Sequence, residues 1–228
     1  MCTFVSLKIC KKRMSDDLFE SISQGGDFEE TTENRRIHEI ANELRRRCRL
    51  YEEELRSRQE NVNPFEIELR TTEQYAKSVG LWLPLTDVVQ LGVPGPSGNE
   101  SDLYVSNDIV YKVNNLLNSG SILRYLERLM WHNNLFYDTA YTFYGFAGFD
   151  NRTVMPVVQQ RLIKNAQPAT TIETDTYMAA VGFTKKDVGK YENQDYIVWD
   201  LLPRNVLKDS EGDIYIIDAE ISMKNYKL

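Results

Sequence analysis

The sequence predicts an α+β fold, and three observations carry that expectation. Apolar residues from Ile37 to Leu55 recur at intervals of three and four, the spacing of a helix that buries one stripe. Around Asn107-Asp108, the runs Leu103-Tyr104-Val105 and Ile109-Val110-Tyr111-Lys112-Val113 have the composition and separation of two strands closed by a tight turn. Near the end of the chain, residues 206–208 and 214–217 flank Asp209-Ser210-Glu211-Gly212-Asp213, which predicts a second antiparallel hairpin.

In chain order, residues 15–34 are acidic, contain Gly25-Gly26 and hold few large apolar side chains, so residues 1–33 are expected to form a flexible leader. Met14-Ser15-Asp16-Asp17 reads as a more ordinary polar N-terminus than Met1, and Met14 is the expected start. In the helix of residues 34–60, Ile37, Ile40, Ala41, Leu44, Cys48, Tyr51 and Leu55 form the stripe, while Arg45, Arg46, Arg47, Glu52, Glu53 and Arg58 take the other faces. Two partners suit the stripe: the protein's own body, or a second copy in a homodimer through residues 37–55, because the spacing also fits a short heptad run.

The break at residues 61–64 predicts a domain boundary. Thr71 and Gln74 have capping-box spacing and place the start of a short helix there, with Gly80 at its far end. Leu81-Trp82-Leu83-Pro84 leads into a strand-like run around Val88-Val89. After the pair around Asn107-Asp108, a helix is expected at about residues 121–132 and strands at 141–146 and 154–161, joined across Gly148-Phe149-Asp150-Asn151. A helix at 172–180 and a strand at 195–199 precede the closing hairpin.

Composition bounds the function. A net charge of −7 and a pI near 5.0 argue against a nucleic-acid-binding surface over the whole protein. No apolar run approaches the roughly 20 residues that span a bilayer, so no membrane partner is expected. Cys2, Cys10 and Cys48 form neither a zinc motif nor an even disulfide set, which fits a reduced, cytoplasmic setting.

Chemistry concentrates between Asp200 and Asp218. If Leu207 pairs with Ile216, the same register sets Asn205 opposite Asp218, with Cβ atoms about 4.5–5.5 Å apart on one face. An amide oxygen and a carboxylate are hard ligands of the kind that suit Mg²⁺, which takes one or two protein groups and fills its other positions with water and phosphate. Asp200 stands five residues before Asn205 across a Pro-containing loop, where a second carboxylate faces the same space and can accept a proton.

This ordered set, Asp200, Asn205, an apolar strand pair and Asp218, resembles the catalytic loop and metal-binding aspartate of the protein-kinase-like fold. The resemblance implies a bilobal core over residues 61–228: a small antiparallel β-sheet upper lobe at about 81–160 and an abbreviated lower lobe at about 161–228, preceded by the N-terminal helix. It implies ATP and Mg²⁺ as cofactors, Asp200 as catalytic base, Asn205 as a metal ligand and Asp218 as the principal metal ligand. Trp199 stands where the family usually has Arg, Leu202 replaces the usual Lys, and Asp218-Ala219-Glu220 replaces Asp-Phe-Gly.

The same resemblance assigns the upstream residues. Ile109-Val110-Tyr111-Lys112 is similar to the strand that carries the phosphate-binding lysine, with Val110 and Lys112 on one face, so that Val110 roofs the adenine and Lys112 reaches the phosphates. Glu127, at the edge of the apolar arc of the following helix, is the expected partner of Lys112. Gly95, Ser97 and Gly98 are candidate phosphate-loop residues in a segment that reads equally as a surface turn. Gln160 and Leu162 are hinge candidates and Leu207 a candidate floor for the adenine, positions that also suit ordinary sheet core.

The motifs Leu81-Trp82-Leu83-Pro84, Tyr111-Lys112-Val113-Asn114 and Trp199-Asp200 with Pro203-Arg204-Asn205 resemble the small kinase-like domains of phage and mobile-element polyvalent proteins. Only ten residues follow Asp218, which leaves no room for an activation segment or a large helical subdomain and favours a small-molecule, nucleotide or partner-presented protein acceptor. The expected function is ATP- and Mg²⁺-dependent phosphoryl transfer. Nucleotidyl transfer by the same residues, or an inactive pseudokinase that binds nucleotide or a protein partner, is the alternative.

Overall fold

The computed structural model describes residues 31–224 apart from 62, 97 and 150–152. The leader up to residue 30, the start at Met14, Cys2, Cys10 and the phosphate-loop candidate Ser97 lie outside the described residues. The chain is α+β and divides into two compact units, one of residues 33–166 and one that includes residues 167–228. The first unit therefore joins the N-terminal helix to the sheet that follows it, and the division falls at Ala166/Gln167.

Helix α1, Thr32–Ser57, carries Glu33 in its first turn and Arg56 in its last, charges that complement the helix dipole. Its stripe is buried: Ile37, Ala41 and Leu44 are 0% exposed and Ile40 is 4% exposed. These side chains share one core with Tyr125, Leu126, Leu129, Phe143, Phe146 and Val158, so the stripe docks on the protein's own body.

Helix α2, Pro64–Ser78, begins earlier than the capping-box spacing of Thr71 and Gln74 predicts. The Asn63 side chain caps it by accepting the Phe65 N–H at 3.1 Å, and Pro64 occupies the first turn, where its missing N–H costs nothing. Thr71 is buried inside the helix, while Gly80, at φ 72, ends it as expected. The strand-like run at Val88-Val89 is corrected as well: β1 is Trp82–Pro84, and Val88 closes the one-turn helix α3, Leu85–Val88. A short apolar run has no periodicity to separate helix from strand; in the one-turn helix Val88 is buried and Val89 exposed.

Six strands form the sheet of this unit: β1, β2 (Val93–Pro94), β3 (Ser101–Ser106), β4 (Ile109–Asn114), β5 (Thr142–Phe149) and β6 (Thr153–Arg161). Their spatial order is β1-β5-β6-β4-β3-β2, and only β1 runs parallel to its neighbour. Asn107, at φ 54, turns β3 into β4 with Ser106 opposite Ile109, as the sequence predicts. Strand alternation gives the sheet two cores. Val158 faces α1 and the helix α4, Ile122–Leu135, whereas Val157 beside it packs with Val88, Val113 and Ala147.

The second unit contains α5, Thr171–Ala180, opened by a complete capping box of Thr170 and Glu173. One sheet has the order β13-β10-β9-β8, with β8 Thr184–Asp187, β9 Lys190–Glu192, β10 Tyr196–Trp199 and β13 Glu220–Met223. The other has the order β12-β11-β7, with β7 Gln167–Pro168, β11 Val206–Lys208 and β12 Ile214–Ile216.

The closing hairpin forms in a register one residue away from the expected one. Leu207 pairs with Tyr215 and Val206 with Ile216, so Asn205 lies opposite Ile217 and not opposite Asp218. The turn decides this. The Asp209 carboxylate accepts the N–H groups of Glu211 at 2.9 Å and Asp213 at 3.0 Å, and Gly212 supplies the left-handed residue at φ 92. Asp209 and Asp213 are thereby bonded across the loop at 3.1 Å, and everything beyond them follows.

Candidate active site

Strand β10 ends at Trp199, and the chain turns at Asp200, whose φ of 62 lies in the left-handed region. Aspartate and asparagine enter that region more readily than other non-glycine residues. The Asp200 carbonyl accepts the Leu202 N–H at 2.8 Å, and the Leu202 carbonyl accepts that of Asn205 at 2.8 Å, which makes residues 200–205 a compact loop. The Asn205 amide donates to the Asp200 carbonyl and to its Oδ2, both at 2.8 Å. Two acceptors on that side fix the amide orientation and turn Oδ1 into the group it offers elsewhere. Arg204 donates to Asp200 Oδ1 at 2.5 Å.

Two ladders set this loop beside the bend that carries Asp218. From one side, the Ile217 N–H donates to the Asn205 carbonyl at 3.0 Å. From the other, β10 and β13 pair with Trp199 opposite Glu220. Asp218 is half-buried in the short bend between Ile217 and Glu220, so both ends of the bend are bonded to the two ends of the 200–205 loop. The nearness of Asn205 and Asp218 thus comes from two sheets that share a connection, not from direct opposition in one hairpin.

The donor set fits Mg²⁺: an amide oxygen, a carboxylate and a second carboxylate nearby, all hard oxygens. Among the described residues no group of three or more His, Cys, Asp or Glu side chains could hold a metal ion.

In the first unit, Lys112 is 7% exposed on β4 and lies opposite Val158 of β6, on the sheet face covered by α4. Its Nζ donates to the Tyr141 hydroxyl at 3.1 Å and stands 5.0 Å from the centre of that ring. Val110, two residues before, shares this face and pairs with Gln160. Glu127 projects from α4 at 2% exposure and is ion-paired with Arg45 of α1.

Gln160 is buried, and its amide donates to the Thr139 carbonyl at 2.6 Å. The Leu162 N–H donates to the Asp108 carbonyl at 2.8 Å, so the carbonyl is what Leu162 offers a ligand. Gly95 and Gly98 form the turn between β2 and β3, where their N–H groups donate to Leu103 and Ser101 carbonyls at 2.8 and 3.1 Å. Both donors are engaged within the turn; a Cβ at Gly98 would meet nothing within 4 Å. Leu207, half-buried, pairs with Tyr215 on one side and Pro168 on the other.

Three residues of these sites escape sequence reasoning. Arg204 places a cation on Asp200 although the family's lysine position holds Leu202; its signal was a basic residue inside the loop itself. Tyr141 and Arg45 left no signal, because 29 residues separate Tyr141 from Lys112 and 82 separate Arg45 from Glu127.

A family model described as a serine/threonine/tyrosine kinase found in polyvalent proteins matches residues 66–225. No curated protein and no solved structure matches the chain. The matched region takes in the lysine strand, the Asp200–Asn205 loop and the Asp218 bend, and the chain accordingly belongs to the serine/threonine/tyrosine kinase family found in polyvalent proteins.

Proposed function

We propose that this kinase-like chain is a phosphotransferase that uses ATP and Mg²⁺, with residues 33–166 and 167–228 as counterparts of the upper and lower lobes of a protein kinase core. The observation that carries the reading is the Asp200–Asn205 loop, closed by the Asn205 amide and bonded at both ends to the bend of Asp218. Asn205 Oδ1 and the Asp218 carboxylate hold the metal, and Asp200 orients the acceptor hydroxyl and takes its proton. Lys112 binds the phosphates with Glu127 as its partner, Val110 serves the adenine from the first unit, and Arg204 supplies the cation that Leu202 does not. When bound, the magnesium nucleotide provides the transferable phosphoryl group with part of its charge neutralised.

A hydroxyl of a small molecule or of a protein is the acceptor class this arrangement serves. Calorimetric titration of the protein with ATP and MgCl₂ tests the reading, and absence of binding overturns it. One observation favours a second reading, a nucleotide-binding pseudokinase: both carboxylate oxygens of Asp200 already accept hydrogen bonds inside the loop. Turnover abolished by Asp200→Ala with ATP binding retained excludes it, and mass analysis of the product separates phosphoryl from nucleotidyl transfer.

A further inference from the structure

We infer that helix α1, which precedes the family-matched region, is a positioning element of the nucleotide site, with Arg45 holding Glu127 and Asn34 fixing the support of Lys112. The inference rests on the proposed roles of Lys112 and Glu127. The family match begins at residue 66 and α1 ends at Ser57, so the helix lies outside the matched region.

The first contact is charged. Glu127 is 2% exposed, and a buried carboxylate is costly unless hydrogen bonds and a cation compensate for the water it has lost. Arg45 supplies them, its Nη2 donating to Glu127 Oε1 while its Nη1 donates to Asn42 Oδ1 at 2.9 Å, which holds the guanidinium on α1. A carboxylate has two oxygens, so a bond from Arg45 to Oε1 is compatible with a second cation at Oε2. The guanidinium fixes the rotamer in which that second oxygen is presented.

The second contact leads to the support of the lysine. Asn34, 4% exposed on α1, donates to Asn134 Oδ1 at 2.6 Å and accepts from Asn133 Nδ2 at 3.0 Å. Asn133 in turn clasps the main chain of Tyr141, donating to its carbonyl at 2.9 Å and accepting its N–H at 2.7 Å. Tyr141 is the residue whose hydroxyl accepts from Lys112. One helix therefore acts on Glu127 directly and on the support of Lys112 through one intermediary.

Packing makes the arrangement stiff. The stripe of Ile37, Ile40, Ala41 and Leu44 shares a core with Leu126 and Leu129, one residue before and two residues after Glu127 on α4. A purely stabilising role does not require a buried ion pair, since apolar replacements of such pairs are commonly neutral or stabilising. Polar contacts from two positions on α1, Asn34 near its start and Arg45 at its middle, lead one to the support of Lys112 and the other to its proposed partner Glu127, as a positioning role requires.

The test is a titration of the full chain with ATP and MgCl₂ for wild type, Lys112→Met, Arg45→Met, Arg45→Lys, Glu127→Gln and the double variant Arg45→Met/Glu127→Gln. Each is titrated well below its own melting temperature. Arg45→Met is expected to weaken ATP binding by about tenfold, the scale of coupling within one charged network. Arg45→Lys restores most of that loss, and the double variant binds no more weakly than Glu127→Gln alone. A lowered melting point with unchanged affinity in Arg45→Met, beside weakened binding in Lys112→Met, overturns the positioning role and leaves the nucleotide reading intact. Wild type that binds no ATP, or Lys112→Met that binds as tightly as wild type, overturns both. Should Arg45→Met fail to fold, Arg45→Gln, which keeps a donor for Glu127 without the charge, is read in its place; affinity equal to wild type overturns the inference.

Discussion

Asn205 gives both hydrogens of its side-chain amide to Asp200, one to the main-chain oxygen and one to the carboxylate. This arrangement joins loop shape to site chemistry. The same side chain closes the turn with its nitrogen and, in the proposed reading, holds the metal with its oxygen, so the two roles are separable only by mutation.

Asn205→Asp is expected to be worse than Asn205→Ala. Alanine loses two hydrogen bonds, one of them charge-assisted, at a cost of about 1.5–3 kcal/mol. Aspartate loses the same bonds and sets a second carboxylate against Asp200, adding like-charge repulsion at a position 9% exposed. Urea denaturation orders the three proteins; Asn205→Asp as stable as Asn205→Ala would show that the amide does not donate to the Asp200 carboxylate.

Asp200 stands at φ 62, and its replacement separates strain from chemistry. Asp200→Asn keeps a residue suited to the left-handed region and is expected to lose turnover while ATP binding persists. Asp200→Val places a β-branched residue there, with an added cost of about 1–2 kcal/mol. Equal melting temperatures for the two variants would contradict this.

The fold was legible wherever one face of an element alone is buried. The spacing of Ile37, Ile40, Ala41 and Leu44 announced α1, and Asn107-Asp108 announced the turn from β3 to β4, because helical period and turn chemistry are local properties. Thr184–Asp187 is exposed throughout and Lys190–Glu192 offers only Tyr191 as a fully buried anchor, so the β8–β9 hairpin had no pattern to read. The residues of the 200–205 loop and Asp218 were legible by type and order. Their placement was not, since the β10–β13 pairing joins segments 24 residues apart and the Asp209 turn shifts β11 against β12 by one.

Leu44 tests how firmly α1 belongs to the first unit. Its side chain is 0% exposed among Ile37, Leu126 and Phe143, so Leu44→Ala removes buried apolar volume that rigid neighbours refill only in part. The expected loss is about 2–5 kcal/mol in urea or thermal unfolding. A loss confined to helical signal, with the sheet unfolding at its former midpoint, would show that α1 docks as a separable arm.

Acid sensitivity in the second unit has a definite sign. The Lys208 ammonium, followed by the Thr170 N–H and hydroxyl, lowers Glu173 from its ordinary 4.5 to about 2. Between those values the unfolded chain binds a proton that the native chain does not, so stability rises with pH across this window. The contribution is fully present above about pH 4.5 and is lost as the pH falls toward about 2. Glu43, lowered to about 2 by Arg46 and Arg47, adds a term of the same sign in the first unit. Glu173 joins α5 to Lys208 on β11, and β11 starts immediately after Asn205, so its protonation loosens the strand that anchors the 200–205 loop. Urea midpoints measured between about pH 5 and pH 3 are expected to fall less steeply for Glu173→Gln than for wild type, the remaining slope coming from Glu43 and other paired carboxylates. Parallel slopes for the two proteins would remove Glu173 from the account.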